Sequence, residues 1–204
     1  VTKWSAHSID NIKTRSCLEA YEDIDIVQKV LSGEKEWYRV IVERYQNPIY
    51  SFLLRFTGSH SQAEDLAQEV FVRVTRSVER YQESDRSRAW VFTIAKRLLA
   101  DRRRSLARKP PPAEIDAAAE PAVPPVQRLR HGIERSLQDL SEPDRECFLL
   151  RELGGLSYDE IGDVTGQTNA AVRSRIHRAR TALRAQLAPE LKQLRANCLG
   201  RNDV

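Results

Sequence analysis

The sequence predicts an all-α protein: two small helical domains joined by a flexible, proline-rich linker. Three observations carry this. Apolar residues recur at steps of three and four from Asp23 to about Ala107, and again from near Gln127 to Leu187, which is the period of helices packed on one face. Between these runs, residues 109–130 hold Pro110, Pro111, Pro112, Pro121, Pro124 and Pro125 together with Glu114, Asp116 and Glu120, a composition that packs no core. Finally, residues 156–187 read as two helices around a glycine turn, the second covered by cations of one sign.

Residues 1–22 are polar and aperiodic and read as a loose leader. A short helix follows from Asp23, with Ile24, Val27, Val30 and Leu31 as its apolar face, ending at Ser32-Gly33. The next run, about Lys35 to Thr57, places Trp37, Val40, Ile41, Tyr45, Ile49, Phe52, Leu53 and Phe56 at helical spacing. Pro48 lies inside it and predicts a kink or break, because proline removes a helix hydrogen bond and clashes with the preceding turn. After the turn Gly58-Ser59-His60, Ser61 is the expected cap of a third helix, with Glu64 at the capping-box position. Ala63, Leu66, Ala67, Val70, Phe71 and Val74 form its buried face. Asp65, Gln68, Glu69 and Arg73 lie opposite, where periodicity alone reads a solvated face.

Tyr81–Ser87 is a polar loop, and a fourth helix runs from about Arg88 to Ala107 on Val91, Ile94, Ala95 and Leu98. From Arg86 to Lys109 the chain carries nine Arg or Lys against one acid, Asp101. Trp90 and Phe92 sit near the helix start, and aromatic rings beside cations are how single-stranded nucleic acid is held. Phe92 fits a core position equally well.

Beyond the linker, a helix is expected from Ser141, with Pro143 in its first turn and Gly154-Gly155 at its end. Cys147, Phe148, Leu150 and Leu153 are its core candidates. Ser157 and Glu160 then form a capping box, Ile161 and Val164 face inward, and Gly166 suits the left-handed position that ends a helix. Thr168 or Asn169 caps the last helix, whose apolar stripe is Val172, Ile176, Ala179, Leu183 and Leu187. Arg173, Arg175, His177, Arg178, Arg180 and Arg184 cover the rest, with no acid between Val164 and Pro189. Solvated helices interleave both signs, since like charges one turn apart repel. A one-sign second helix after a tight turn marks a recognition helix of a helix-turn-helix.

Composition bounds the function. The chain has 204 residues, 41% hydrophobic and 30% charged, with net charge +4. The positive charge concentrates at 86–109 and 173–184, two patches suited to one polyanion. Cys17, Cys147 and Cys198 show neither metal spacing nor a disulfide framework, which fits a reducing cytosol; no metal or cofactor is expected. No apolar run is long enough to span a membrane. The absence of Met, with Val at position 1, is what a GTG start or a processed N-terminus produces. His7, His60, His131 and His177 form no nucleophile–base arrangement, so an enzyme acting on DNA is disfavoured.

The linker of about 22 residues reaches roughly 75 Å when stretched and spans about 26 Å as a coil. With DNA rising ~3.4 Å per base pair, it tethers two DNA-contacting domains without fixing their spacing. A large protein partner must do that.

AEDLAQEVFVRV (63–74), RAWVFTIAKRLLADRRR (88–104) and LSYDEIGDVTGQTNAAVRSRIHRARTALR (156–184) resemble three segments of the extracytoplasmic-function (ECF) sigma factors, group 4 of the housekeeping sigma superfamily, in the family's order and spacing. The resemblance implies a leader (1–22), a region 2 helical bundle (23–108), a linker (109–130), a region 4 helix-turn-helix (131–187) and a tail (188–204). It also implies a non-catalytic protein that binds core RNA polymerase and directs promoter-specific initiation. In that family Asp65, Gln68, Glu69 and Arg73 would dock on the β′ clamp helices, the β subunit would be a further partner, and the linker would thread through the polymerase toward the RNA exit path. The loop through Trp90 would open and capture the −10 element, and Lys96, Arg97, Arg102, Arg103 and Arg104 would grip it. Arg173, Ser174, Arg175, His177 and Arg178 would enter the major groove of the −35 element. A cognate anti-sigma factor and a cytoplasmic location, with or without tethering at the membrane through that factor, are implied as well. Two positions depart from the family's usual pattern: Arg97 stands where Asn is frequent, and Ala170-Ala171 where Gly-Thr is frequent. A stand-alone helix-turn-helix regulator is the alternative; it leaves the second basic helix and the 63–74 face without a role.

Overall fold

The computed structural model describes residues 23–34, 36–78, 81, 87–107 and 125–199. The leader, residues 82–86 of the polar loop and linker residues 109–124 lie outside the described residues. Eight helices run through the described residues: α1 (Asp23–Leu31), α2 (Trp37–Thr57), α3 (His60–Ser77), α4 (Ser87–Ala107), α5 (Pro125–Asp139), α6 (Glu142–Glu152), α7 (Tyr158–Thr165) and α8 (Asn169–Leu199). The first four form one bundle and the last four another.

Four boundaries differ from the sequence reading. Helix α3 begins at His60, capped by Ser59, whose extended backbone lets its hydroxyl accept from the Gln62 amide at 3.4 Å; Gly58, at φ 66°, turns the chain just before it. The expected Ser61 cap is therefore inside the helix. Helix α2 continues through Pro48 without a break. Ile41, Tyr45, Ile49, Phe52 and Leu53 are buried on both sides of it, and that packing outweighs one lost hydrogen bond. Helix α5 starts at Pro125, inside the stretch read as linker; proline suits a first helical position because that N–H has no helical partner. Helix α8 runs past Leu187 and through Pro189 to Leu199, so most of the tail is helical. In α1, Ile26 and Val27 are buried, whereas Leu31, expected on the apolar face, is exposed.

The two bundles share one continuous apolar core. Phe52 on α2 meets Phe92 on α4 edge to face, with ring centroids 5.5 Å apart. Phe92 reaches on to the α6–α7 turn: a Cβ on Gly154 would lie 3.1 Å from the Phe92 ring, 2.6 Å from Leu156 and 2.5 Å from the Leu150 carbonyl oxygen. Of the two readings of Phe92, the core position is the one found. Cys147 is buried, which pushes its thiol up to about 11.

Candidate nucleic-acid interface

The helix-turn-helix is built by local chemistry. The Ser157 hydroxyl accepts from the Glu160 amide at 3.2 Å, and the Glu160 carboxylate accepts from the Ser157 amide at 2.7 Å, satisfying two orphan donors of α7 reciprocally. Gly166 turns the chain at φ 71°. The Thr168 hydroxyl accepts from the Ala171 amide at 3.3 Å and so takes the capping role, while Asn169 donates across the turn to Asp159 at 2.7 Å. Val172, Ile176, Ala179 and Leu183 are buried, which rotates the cationic face of α8 outward.

That face is uneven. Arg173, Ser174, His177 and Arg178 are exposed and Arg175 is half-buried. Arg173 lies over the Tyr158 ring at 5.4 Å. Arg175 and Arg178 both bind Asp144 on α6, at 3.2 Å and 2.8 Å, and Arg175 also donates to Gln167. Arg180 pairs with Glu152 at 2.7 Å. The Asp144 carboxyl is held below the ordinary aspartate range, chiefly by the Arg178 hydrogen bond against an opposing effect of burial.

On α4, Trp90 is half-buried and packs against Tyr81, with ring centroids 5.0 Å apart and the planes tilted by 56°. Its helix start is anchored from below, since Arg44, Tyr45 and Arg88 all converge on Asp23 of α1. The Tyr45 hydroxyl is driven upward by burial and by the Asp23 charge. Arg97 and Arg102 are exposed and carry no ion pair among the described residues. Arg104 pairs with Asp101 of its own helix. Lys96 and Arg103 instead reach the second bundle. Lys96 pairs with Glu146 at 3.3 Å and donates to the Val164 carbonyl at 3.2 Å, and Arg103 pairs with Glu142. Burial raises the Glu146 carboxyl, with Lys96 opposing.

On α3, Asp65 and Gln68 are exposed, and Glu69 and Arg73 are half-buried. Arg73 pairs with Glu69 at 2.9 Å and with Asp101 of α4 at 3.6 Å. The sequence reading missed the acids Glu142, Asp144 and Glu146 of α6. Their alternate spacing in EPDRE was the available signal, but their partners lie far away in sequence.

Among the described residues no group of His, Cys, Asp and Glu is arranged to hold a metal, and no helix is long and apolar enough to cross a membrane. An all-α chain with a one-sign recognition helix and a second basic helix defines a helix-turn-helix DNA-binding protein. Family models place it further: sigma-70 region 2 matches residues 41–109, and sigma-70 region 4 matches residues 130–183. The RNA polymerase sigma-H factor of Pseudomonas aeruginosa is 29% identical over 187 residues, covering 84% of this chain and 97% of the relative. The ECF RNA polymerase sigma-E factor of Escherichia coli K12 is 28% identical over 190 residues, covering 86% and 99%. Among solved structures, CnrH in complex with the cytosolic domain of CnrY has the same fold (TM-score 0.63, 23% identity, 83% of this chain and 99% of the other). So does the sigma factor RpoE in complex with the anti-sigma factor NepR from Bartonella quintana (TM-score 0.61, 21% identity, 74% and 96%). The chain belongs to the sigma-70 family, as an ECF sigma factor. It is an initiation factor and not an enzyme.

Proposed function

We propose that the chain docks on the β′ clamp helices of core RNA polymerase through Asp65, Gln68, Glu69 and Arg73 and reads a promoter at two points. Arg173, Ser174, Arg175, His177 and Arg178 enter the −35 major groove, where each bidentate Arg–guanine contact discriminates by about 1–3 kcal/mol. Trp90, Lys96, Arg97, Arg102, Arg103 and Arg104 engage the −10 element as it opens. The domains that carry these roles are region 2, residues 23–108, and region 4, residues 131–187, with the β subunit as a further partner and the intervening linker threading through the polymerase toward the RNA exit path. In the cell a cognate anti-sigma factor restrains the chain in the cytoplasm. The single observation behind this reading is a recognition helix whose exposed face is cationic from Arg173 to Arg184, beside a second basic helix.

In vitro transcription with core polymerase tests it. The chain should bind core and start transcripts at discrete promoters. Arg173→Ala should lower −35-dependent transcription about tenfold with core binding retained, while Glu69→Lys should abolish core capture. Unchanged promoter choice in Arg173→Ala would sink the −35 assignment, and absence of core binding by the unaltered chain would favour a stand-alone regulator.

A further inference from the structure

The start of α4 is tied to two other helices through one carboxylate. Asp23 opens α1, and both of its oxygens are used. Arg44 of α2 donates to Oδ1, the neighbouring Tyr45 hydroxyl donates to Oδ2, and the Arg88 guanidinium of α4 lies 4.0 Å from Oδ2. The buried Ser87 hydroxyl, at the first position of α4, donates to the Tyr45 oxygen. Trp90 follows within the same turn of α4. Asp23, Tyr45, Ser87 and Trp90 line one gap of about 10 Å³. That is room for about one water molecule and not for an indole ring. The indole also packs against Tyr81, so it has neighbours in the loop before α4 as well as in the Asp23 cluster.

We infer that Asp23 is a positioning residue for Trp90: by holding Arg44, Tyr45 and Arg88 together it fixes the first turn of α4, and with it the angle at which the indole enters the −10 element as the duplex opens. The inference rests on the reading that Trp90 engages the −10 element, and it gives Asp23 no contact with DNA. The Asp23 and Arg44 side chains are 21% and 20% exposed, so salt screens their pair less than a surface pair. Replacing the carboxylate by an amide removes the counter-charge that Arg44 and Arg88 share and leaves the Tyr45 hydroxyl a weaker acceptor. The first turn of α4 then loses its tie to α1 and α2, and the indole gains orientations that do not fit an opening duplex. A side chain meets its target productively when its supports lock its rotamer. Val91 and Phe92 are buried in the apolar core, so the bundle should keep its fold without the charge.

Two measurements on the full chain test this. With Trp4→Phe and Trp37→Phe, Trp90 is the one tryptophan left. In that background Asp23→Asn should raise acrylamide quenching of Trp90 at least twofold, whereas the control Asp25→Asn, an exposed acid of the same helix, should not. Unchanged quenching would overturn the anchor. Tyr45→Phe, which removes one donor and keeps the ring, should move quenching the same way by less. The second measurement uses the natural tryptophans and core polymerase, on a duplex promoter that the unaltered chain opens. Asp23→Asn should bind core as before and open the −10 region at least fivefold less, read by permanganate reactivity of its thymines. On the same promoter with a mismatched, already open −10 region, transcription should return to within twofold of the unaltered chain, which a general loss of fold would not allow. Asp23→Asn combined with Trp90→Ala should open no less than Trp90→Ala alone, since Asp23 acts through the indole; losses that multiply would overturn the inference. Should Asp23→Asn raise quenching while Trp90→Ala opens the promoter normally, the anchor would stand and the −10 reading of Trp90 would fall.

Discussion

Asp144 neutralises part of the cationic face of α8. Its side chain is 13% exposed and accepts hydrogen bonds from Arg178 and Arg175. The folded state binds a proton at Asp144 less readily than the unfolded chain, because those cations favour the carboxylate. The stability it contributes is therefore complete above the ordinary aspartate value of 3.8 and drains as pH falls through the lower folded value. Asp144→Asn should cost about 1–2 kcal/mol at pH 7, and its deficit against the unaltered chain should narrow below pH 3.8. Urea titrations at the two pH values measure this, and a deficit independent of pH would contradict the charge-assisted pairing. Glu146 runs the other way. Burial raises its folded value, so its ionisation costs stability as pH climbs from the ordinary 4.5 toward that value, and Lys96 limits the cost. The cations of this network were visible in the sequence as a run without acids. Their acids were not, because an ion pair across 31 to 50 residues leaves no local pattern.

At the scale of the element, local rules held through the helix-turn-helix. The Ser157–Glu160 capping box is complete. Ser157→Ala should lower stability by roughly 1 kcal/mol, read as a lower urea midpoint with an unchanged slope; a smaller loss than about 0.3 kcal/mol would mean that water substitutes for the cap. Where the reading of elements failed, a neighbour had intervened. Ser61 is as good a capping residue as Ser59, but the left-handed Gly58 starts the helix earlier. Pro48 is a breaker by local chemistry, yet α2 is packed on both sides of it. Pro125 belonged to a proline-rich stretch by composition and to a helix start by position.

Across the whole molecule, the apolar core runs from Phe52 through Phe92 to Leu150 and Leu156 without interruption. The two bundles should therefore unfold together. All three tryptophans lie in the first 90 residues, whereas far-ultraviolet circular dichroism reports every helix. Fluorescence and dichroism transitions should coincide, and Phe92→Ala should shift both by a loss of about 3–5 kcal/mol. Two separate transitions would show that the bundles fold independently despite the shared core.

Periodicity, caps and charge runs in the sequence by themselves determined most of the helices, the helix-turn-helix and the two cationic surfaces, because each depends on residues within a few positions of one another. Only the tertiary structure decided that Phe92 is core and not a stacking platform, that Lys96 and Arg103 already have carboxylate partners, and that two domains expected to be independent close on each other. Those outcomes depend on which surfaces meet after the chain folds. Burial and distance between residues far apart in sequence leave no trace in local spacing.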